Sequence, residues 1–303
     1  MRDDPTATHN GISTHVRELT KALEKRGHEV KWFIGVTDRG AVKLGGSIPP
    51  DFDLVEAMSL HYGAKVRLPM VARCNSPLKE EGKYYRGFKK LKGYFGQYYE
   101  VATLERAKAV ISVSQFSHDI LKKEYSAESV VIPDGVDSER YKPKKHIGSK
   151  PLLFACSRNE PRKNLGLIRR AFHHVDGRAE TLLVSGSAPD VIMPDVVIDS
   201  LFISSDIFLT TSFSEAFNLT LLEAMASGCA CVASDIPAHR ELIREGVDGY
   251  LFDGEADMKE KLDLLIGSPE LRKMLGGYAR EKAESYTWAR TAELTEKVFK
   301  WAL

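Results

Sequence analysis

The chain has 303 residues, 43% hydrophobic and 28% charged, with a formal net charge of +1. That length suits two domains of ordinary size, each with its own core. The charge balance excludes a surface dominated by a nucleic-acid footprint, and no run of about 18 apolar residues offers a membrane-spanning helix.

The N-terminal MRDDP has no apolar stretch of the kind a secretory signal needs. Cys74, Cys156, Cys229 and Cys231 lack further ligands at metal-binding spacing, so they read as buried, reduced thiols and the expected compartment is the cytoplasm. In chain order, Ile12, Val16, Leu19 and Leu23 recur at helical spacing until Gly27 ends the helix. Residues 29–36 then read as a strand, followed by strands at 52–58, 68–74, 109–113 and 129–133. In the second half, 152–156, 181–185, 207–211 and 230–234 are short buried runs bounded by turn residues, with helical patterns between most of them. The alternation predicts an α/β fold of two Rossmann-like, doubly wound domains facing a cleft. The polar stretch KPKKHIGSK, residues 142–150, marks the boundary and gives domains of 1–145 and 146–287. A last amphipathic helix at 288–303 is able to pack back on the first. Residues 1–10 hold no apolar run, so the first domain is expected to lack its opening strand.

The strongest chemical signal is SFSEAFNLTLLEAMASG, residues 212–228. A strand ends in a polar turn containing Glu215, and a helix starts near Asn218, a good N-cap residue. Free amides and the positive end of the helix dipole then point where α/β folds hold anions. Glu223 stands eight residues after Glu215 among Leu219, Leu222, Ala224, Met225 and Ala226, where an unpartnered carboxylate would be costly. The second signal, CSRNEPRKNL, places Arg158, Arg162 and Lys163 at the carboxyl end of a strand in the same domain, as an anionic diphosphate would require. The third is Asn10-Gly11 at the start of the first helix, where glycine allows close approach of a ligand. Asp51-Phe52-Asp53 has the spacing of a metal-binding D-x-D, but it opens a strand in the other domain and no metal is expected.

Together these blocks resemble the retaining glycosyltransferases of GT-B architecture, in the large group-4 family, nearly end to end. NGISTHVRELTKALEKRGHEV, VVIPDGVDSERYKP, RNEPRKN and SEAFNLTLLEAMASGCACVASDIPAHREL carry the likeness. The resemblance implies a hexosyltransferase that moves sugar from a nucleotide-sugar donor to a glycan or lipid acceptor, with no metal or other cofactor. The first domain would face the acceptor and the second would bind the donor. Arg158 and Lys163 would bind the diphosphate, and Glu215 would contact the transferred sugar. Backbone around Ala216, Phe217, Asn218 and Leu219 would hold sugar and phosphate, Glu223 the ribose, and Gly11 a loop over the phosphates. Charge developing on the departing phosphate would be stabilised by those cations and amides.

Three departures from the family pattern stand out besides the opening strand. Asn75 occupies the place of a usual histidine and is a candidate sugar contact; Asn218 replaces a usual glycine. Between Gly186 and Asp206, where relatives place a helix and a further strand, only SAPDVIMPDVVIDSLFISS stands, so the base is not legible. These departures favour a rival reading, a catalytically silent relative that binds a nucleotide sugar or a protein partner. Residues 79–99 interleave Lys83, Arg86, Lys89, Lys90 and Lys92 with Tyr84, Tyr85, Phe88, Tyr94 and Phe95, a composition suited to peripheral contact with an anionic membrane face. No nucleic-acid partner is expected.

Overall fold

A computed structural model describes residues 11–33, 47–60, 63–144, 148–186 and 195–303; the side chains of residues 88–95 also stand outside the description. The chain divides into two units, Met1–Gly135 with Trp288–Leu303, and Val136–Thr287.

In the first unit, four described strands lie parallel in the order β1 (Val55–Ala57), β2 (Met70–Cys74), β3 (Ala109–Ser112) and β4 (Val130–Val131). Parallel strands need crossovers and are covered on both faces, which is why these sequences are mostly apolar and the buried Arg73 is paired, its Nε 2.6 Å from Glu56 Oε1. Val71, Ile111 and Ile132 pack on one face with Val298 and Ala302 of the helix Trp288–Ala302. Ala72, Cys74 and Val110 pack on the other with Leu60 and Leu121. The helix Gly11–Glu24 buries Leu19 and Leu23, and Gly27 follows it at φ 93°, a conformation that favours glycine.

One expectation needs correction here. Residues 29–33 form no strand: the Trp32 indole donates to the Thr20 hydroxyl at 2.9 Å, and Phe33 meets Phe52 edge-on at 5.4 Å. Their apolar alternation serves side-chain contacts instead of a sheet neighbour. Residues 1–10 and 34–36 lie outside the described residues, and the expected lack of an opening strand falls there. The two units divide at Gly135, ahead of the boundary expected after 145. The Val136 amide donates to Tyr286 O at 2.8 Å, the Lys144 amide to Ile203 O at 2.7 Å, and Arg280 to Tyr141 O at 3.0 Å. The polar composition of 142–150 resembles a linker, but the backbone just before it is already bonded into the second unit.

The second unit carries five parallel strands in the order β6-β5-β7-β8-β9: β5 (Leu152–Arg158), β6 (Glu180–Gly186), β7 (Ile207–Thr210), β8 (Ala230–Ser234) and β9 (Tyr250–Phe252). Leu153, Ala155, Ile207, Leu209, Ala230 and Val232 bury one face under Leu167, Ile168, Met258 and Leu262. Phe154, Phe202, Phe208 and Tyr141 form edge-on and tilted ring contacts elsewhere in this core. The shortened segment before Asp206 nonetheless contains a helix, Asp195–Ser204. The chain enters the sheet at β5, moves outward to β6, then returns to pair β7 with the other edge of β5. The connections therefore diverge between β5 and β7. In open parallel sheets the carboxyl ends at such a reversal form a crevice, and ligands bind there.

Candidate functional site

The two loops that leave this switch point are tied into one piece. After β5, a 3-10 turn, Pro161–Lys163, ends on Asn164 at φ 51°. After β7, the Phe213 amide donates to Arg162 O at 2.8 Å. The Thr211 hydroxyl lies 3.1 Å from both Lys163 O and Asn164 O. These bonds join the post-β5 loop to the post-β7 turn, so their side chains converge.

At the centre sits Glu215, 7% exposed. Lys163 Nζ and Ser212 Oγ donate to its Oε1, the latter at 2.7 Å. Arg162 Nη1 donates to Oε2 at 2.9 Å and to Ser214 O at 3.2 Å. Behind them, Glu160 pairs with Arg162 Nε at 3.1 Å and with Arg158 Nη1 at 3.0 Å. Three cations thus face two carboxylates, which leaves one positive charge in surplus. Burial alone would raise the Glu215 pKa, but Lys163 and Arg162 outweigh it and hold the carboxyl far below its ordinary range. Burial lowers the Lys163 pKa; Glu215 opposes that effect and the Arg162 charge adds to it.

The helix Leu219–Ala226 begins one turn beyond. Asn218 caps it at φ 85°, its Oδ1 accepting from the Leu221 amide at 3.2 Å and from the Thr220 hydroxyl at 2.7 Å. Asparagine tolerates this left-handed backbone better than most residues, which accounts for its standing where glycine is usual. Its Nδ2 donates to His239 Nε2 at 2.8 Å, and His239 Nδ1 donates to Ser234 O at 2.8 Å. That pattern requires a neutral imidazole protonated on Nδ1. Burial agrees, pushing the His239 pKa down to about 4 despite the nearby Glu215 charge. Glu223, buried in the same helix, hydrogen-bonds Tyr141, whose pKa is raised first by burial and then by that carboxylate. Burial, aided by the Glu223 charge, pushes the Cys156 thiol up to about 12.

Of the residues singled out from the sequence, Lys163 and Glu215 touch, while Ala216, Phe217, Asn218 and Leu219 form the turn into the helix. Arg158 is set back, half exposed and joined to the cluster through Glu160. Gly11 and Asn75 belong to the first unit: Gly11 is the exposed first residue of its helix, and Asn75 Nδ2 donates to Met58 O at 2.7 Å. Sequence reasoning missed Glu160, Ser212 and His239, and placed Arg162 no nearer than its neighbours. Pro161 was the available signal, since it starts the turn that carries Arg162 inward. Among the described residues, no group of three or more His, Cys, Asp or Glu side chains is placed to hold a metal ion, and no helix is long and apolar enough to cross a membrane. In the basic and aromatic segment, Lys79 lies over the Tyr125 ring at 4.8 Å, and Tyr98 is 73% exposed.

Residues 192–282 match the family Glycosyl transferases group 1, and residues 44–140 match Glycosyltransferase Family 4. A D-inositol 3-phosphate glycosyltransferase of Paenarthrobacter aurescens is 35% identical over 117 residues, 38% of this chain and 28% of the relative. A phosphatidyl-myo-inositol mannosyltransferase of Mycolicibacterium smegmatis is 26% identical over 217 residues, 62% of this chain and 56% of the relative. The match thus spans little more than a quarter of the first relative's length and little more than half of the second's. HepE of Anabaena, solved with UDP-glucose, superposes with a TM-score of 0.73 over 98% of both chains at 17% identity. Sucrose-phosphate synthase from Thermosynechococcus elongatus superposes with a TM-score of 0.78 over 96% of this chain and 93% of that one, also at 17% identity. At that identity the likeness establishes the fold.

Proposed function

Because the chain belongs to the glycosyltransferases of GT-B fold, we propose that it moves a hexose-type sugar from a nucleotide sugar to a glycan or lipid acceptor with retention of anomeric configuration. The observation that carries this reading is the buried Glu215, bracketed by Lys163 and Arg162 at the switch point of the second sheet and one turn before a capped helix N-terminus. Such a notch offers what a departing nucleoside diphosphate needs. Surplus positive charge and preorganised amides stand where negative charge grows.

In this reading Lys163 and Arg158 take the diphosphate, and the amides of Ala216 to Leu219 hold phosphate and sugar. Glu215 orients the sugar through its hydroxyls, and Glu223 receives the ribose. Positioning and charge stabilisation then supply most of the rate, with no carboxylate nucleophile assigned. The inositol glycosyltransferases among the relatives support a polar acceptor, and the HepE complex supports a UDP donor. Residues 79–99 would rest against a membrane surface when the acceptor is a lipid, with the protein on the cytoplasmic side.

Nucleotide release from UDP-, GDP- and ADP-sugars tests the reading. Wild type is expected to consume at least one donor, and Glu215→Ala to lose about a hundredfold in turnover through misplacement of the sugar. Release at background for both proteins would leave the silent-relative reading in its place.

A further inference from the structure

The Lys163 ammonium is bonded to Glu215, and a diphosphate bound beside it would compete with that carboxylate for the same positive charge. A donor that draws Lys163 away would leave Glu215, 7% exposed, as a buried anion unless another cation stays with it. We infer that Arg162 is the positioning residue that keeps Glu215 ionised and aimed when Lys163 turns to the donor, an inference that extends the proposed reading of this site.

The geometry separates the two cations by job. Arg162 is buried, with Nη1 on both Glu215 Oε2 and Ser214 O and Nε on Glu160, and its own carbonyl accepts from the Phe213 amide. It is therefore fixed to the post-β7 turn by side chain and backbone together. Lys163 reaches Glu215 by a single flexible ammonium on the other carboxylate oxygen, Oε1, which Ser212 also supports. Departure of Lys163 thus leaves Oε1 with a hydroxyl donor and Oε2 with a guanidinium. The planar, always-charged guanidinium suits a fixed ion pair, whereas a lysine ammonium exchanges partners readily. Arg158 and Glu160 stand behind Arg162 as an ion pair, and His239, on which the Glu215 charge also acts, is neutral by its hydrogen bonds and supplies no charge.

The test needs no donor. Glu215 is titrated by carbon NMR of glutamate-labelled full-length protein in wild type, Lys163→Met, Arg162→Gln, Arg162→Lys and the Lys163→Met/Arg162→Gln pair. Lys163→Met imitates the withdrawn lysine. Its Glu215 is expected to stay ionised at pH 6, while the double variant titrates about 1 to 3 pH units higher than Lys163→Met alone. Arg162→Lys, which keeps the charge, should leave Glu215 ionised at pH 6 as in wild type. If the Arg162→Gln proteins fail to fold, Lys163→Met still decides: a Glu215 that takes up its proton near neutrality there overturns the inference. A double variant that titrates with Lys163→Met also overturns it. Nucleotide-sugar turnover is read separately. A wild type that consumes no donor defeats the proposed function, while the Glu215 titration still reports on Arg162.

Discussion

Glu100 in the first unit and Glu215 in the second are both buried glutamates, and their surroundings drive them in opposite directions. Glu100 in the first unit is fully enclosed, accepting from the Leu78 amide and the Tyr125 hydroxyl. Burial raises its carboxyl from 4.5 to about 7, with those two hydrogen bonds pulling back. Glu215 in the second unit is nearly as buried, yet Lys163 and Arg162 hold it far below the ordinary range. Burial is common to both, so it identifies neither as a site. The difference is one surplus positive charge at the reversal of a parallel sheet, the place where open α/β sheets bind ligands.

The largest effect that would break this comparison is on pH dependence. For Glu100 the folded pKa lies above the unfolded one, so its stabilising contribution is complete below about pH 4.5 and is lost as pH rises through 7. Wild type should therefore give up about 3 kcal/mol between pH 4.5 and 8 that Glu100→Gln, which imitates the protonated form, does not. For Glu215 the sign reverses. Its contribution is present above the unfolded value and is lost as pH falls below it, so Glu215→Gln should flatten the acid limb instead. Urea unfolding midpoints across pH 3 to 8 check both. Parallel profiles for wild type and the two variants would erase the distinction between the units.

Smaller, and confined to the second unit, is the cap. Asn218→Ala loses both the side-chain cap and a residue that tolerates φ 85°, and should cost about 2 kcal/mol. Asn218→Gly keeps the backbone freedom and should cost only about a few tenths. Equal losses in thermal or denaturant unfolding would show that the His239 contact, not the backbone, sets the energy.

The fold was legible where period and burial agree. The runs at 152–156, 181–185, 207–211 and 230–234 became β5 to β8 because a strand covered on both faces must be apolar throughout. Residues 29–33 alternate polar Glu29 and Lys31 with apolar Val30 and Trp32, a pattern that suits a half-covered strand as well as the side-chain contacts actually made, so it was misleading. Asn218 as a cap followed from its side chain and its place after a strand. The pairing within RNEPRKN did not, since three cations in six residues look alike in sequence and only the turn at Pro161 decides which is buried. Glu160 and His239 were illegible for a related reason: each acts through a partner far along the chain or across a turn. A polar composition, as at 142–150, reports exposure of side chains; the backbone at Val136 and Lys144 is nonetheless hydrogen-bonded to Tyr286 and Ile203 of the second unit.

The account is tested most directly by calorimetric titration of UDP, GDP and ADP into wild type and Lys163→Met. One nucleoside diphosphate should bind wild type and weaken at least about tenfold in the variant, roughly 1.4 kcal/mol. Binding of none of the three at millimolar concentration, or equal binding to both proteins, would contradict a donor site at this switch point.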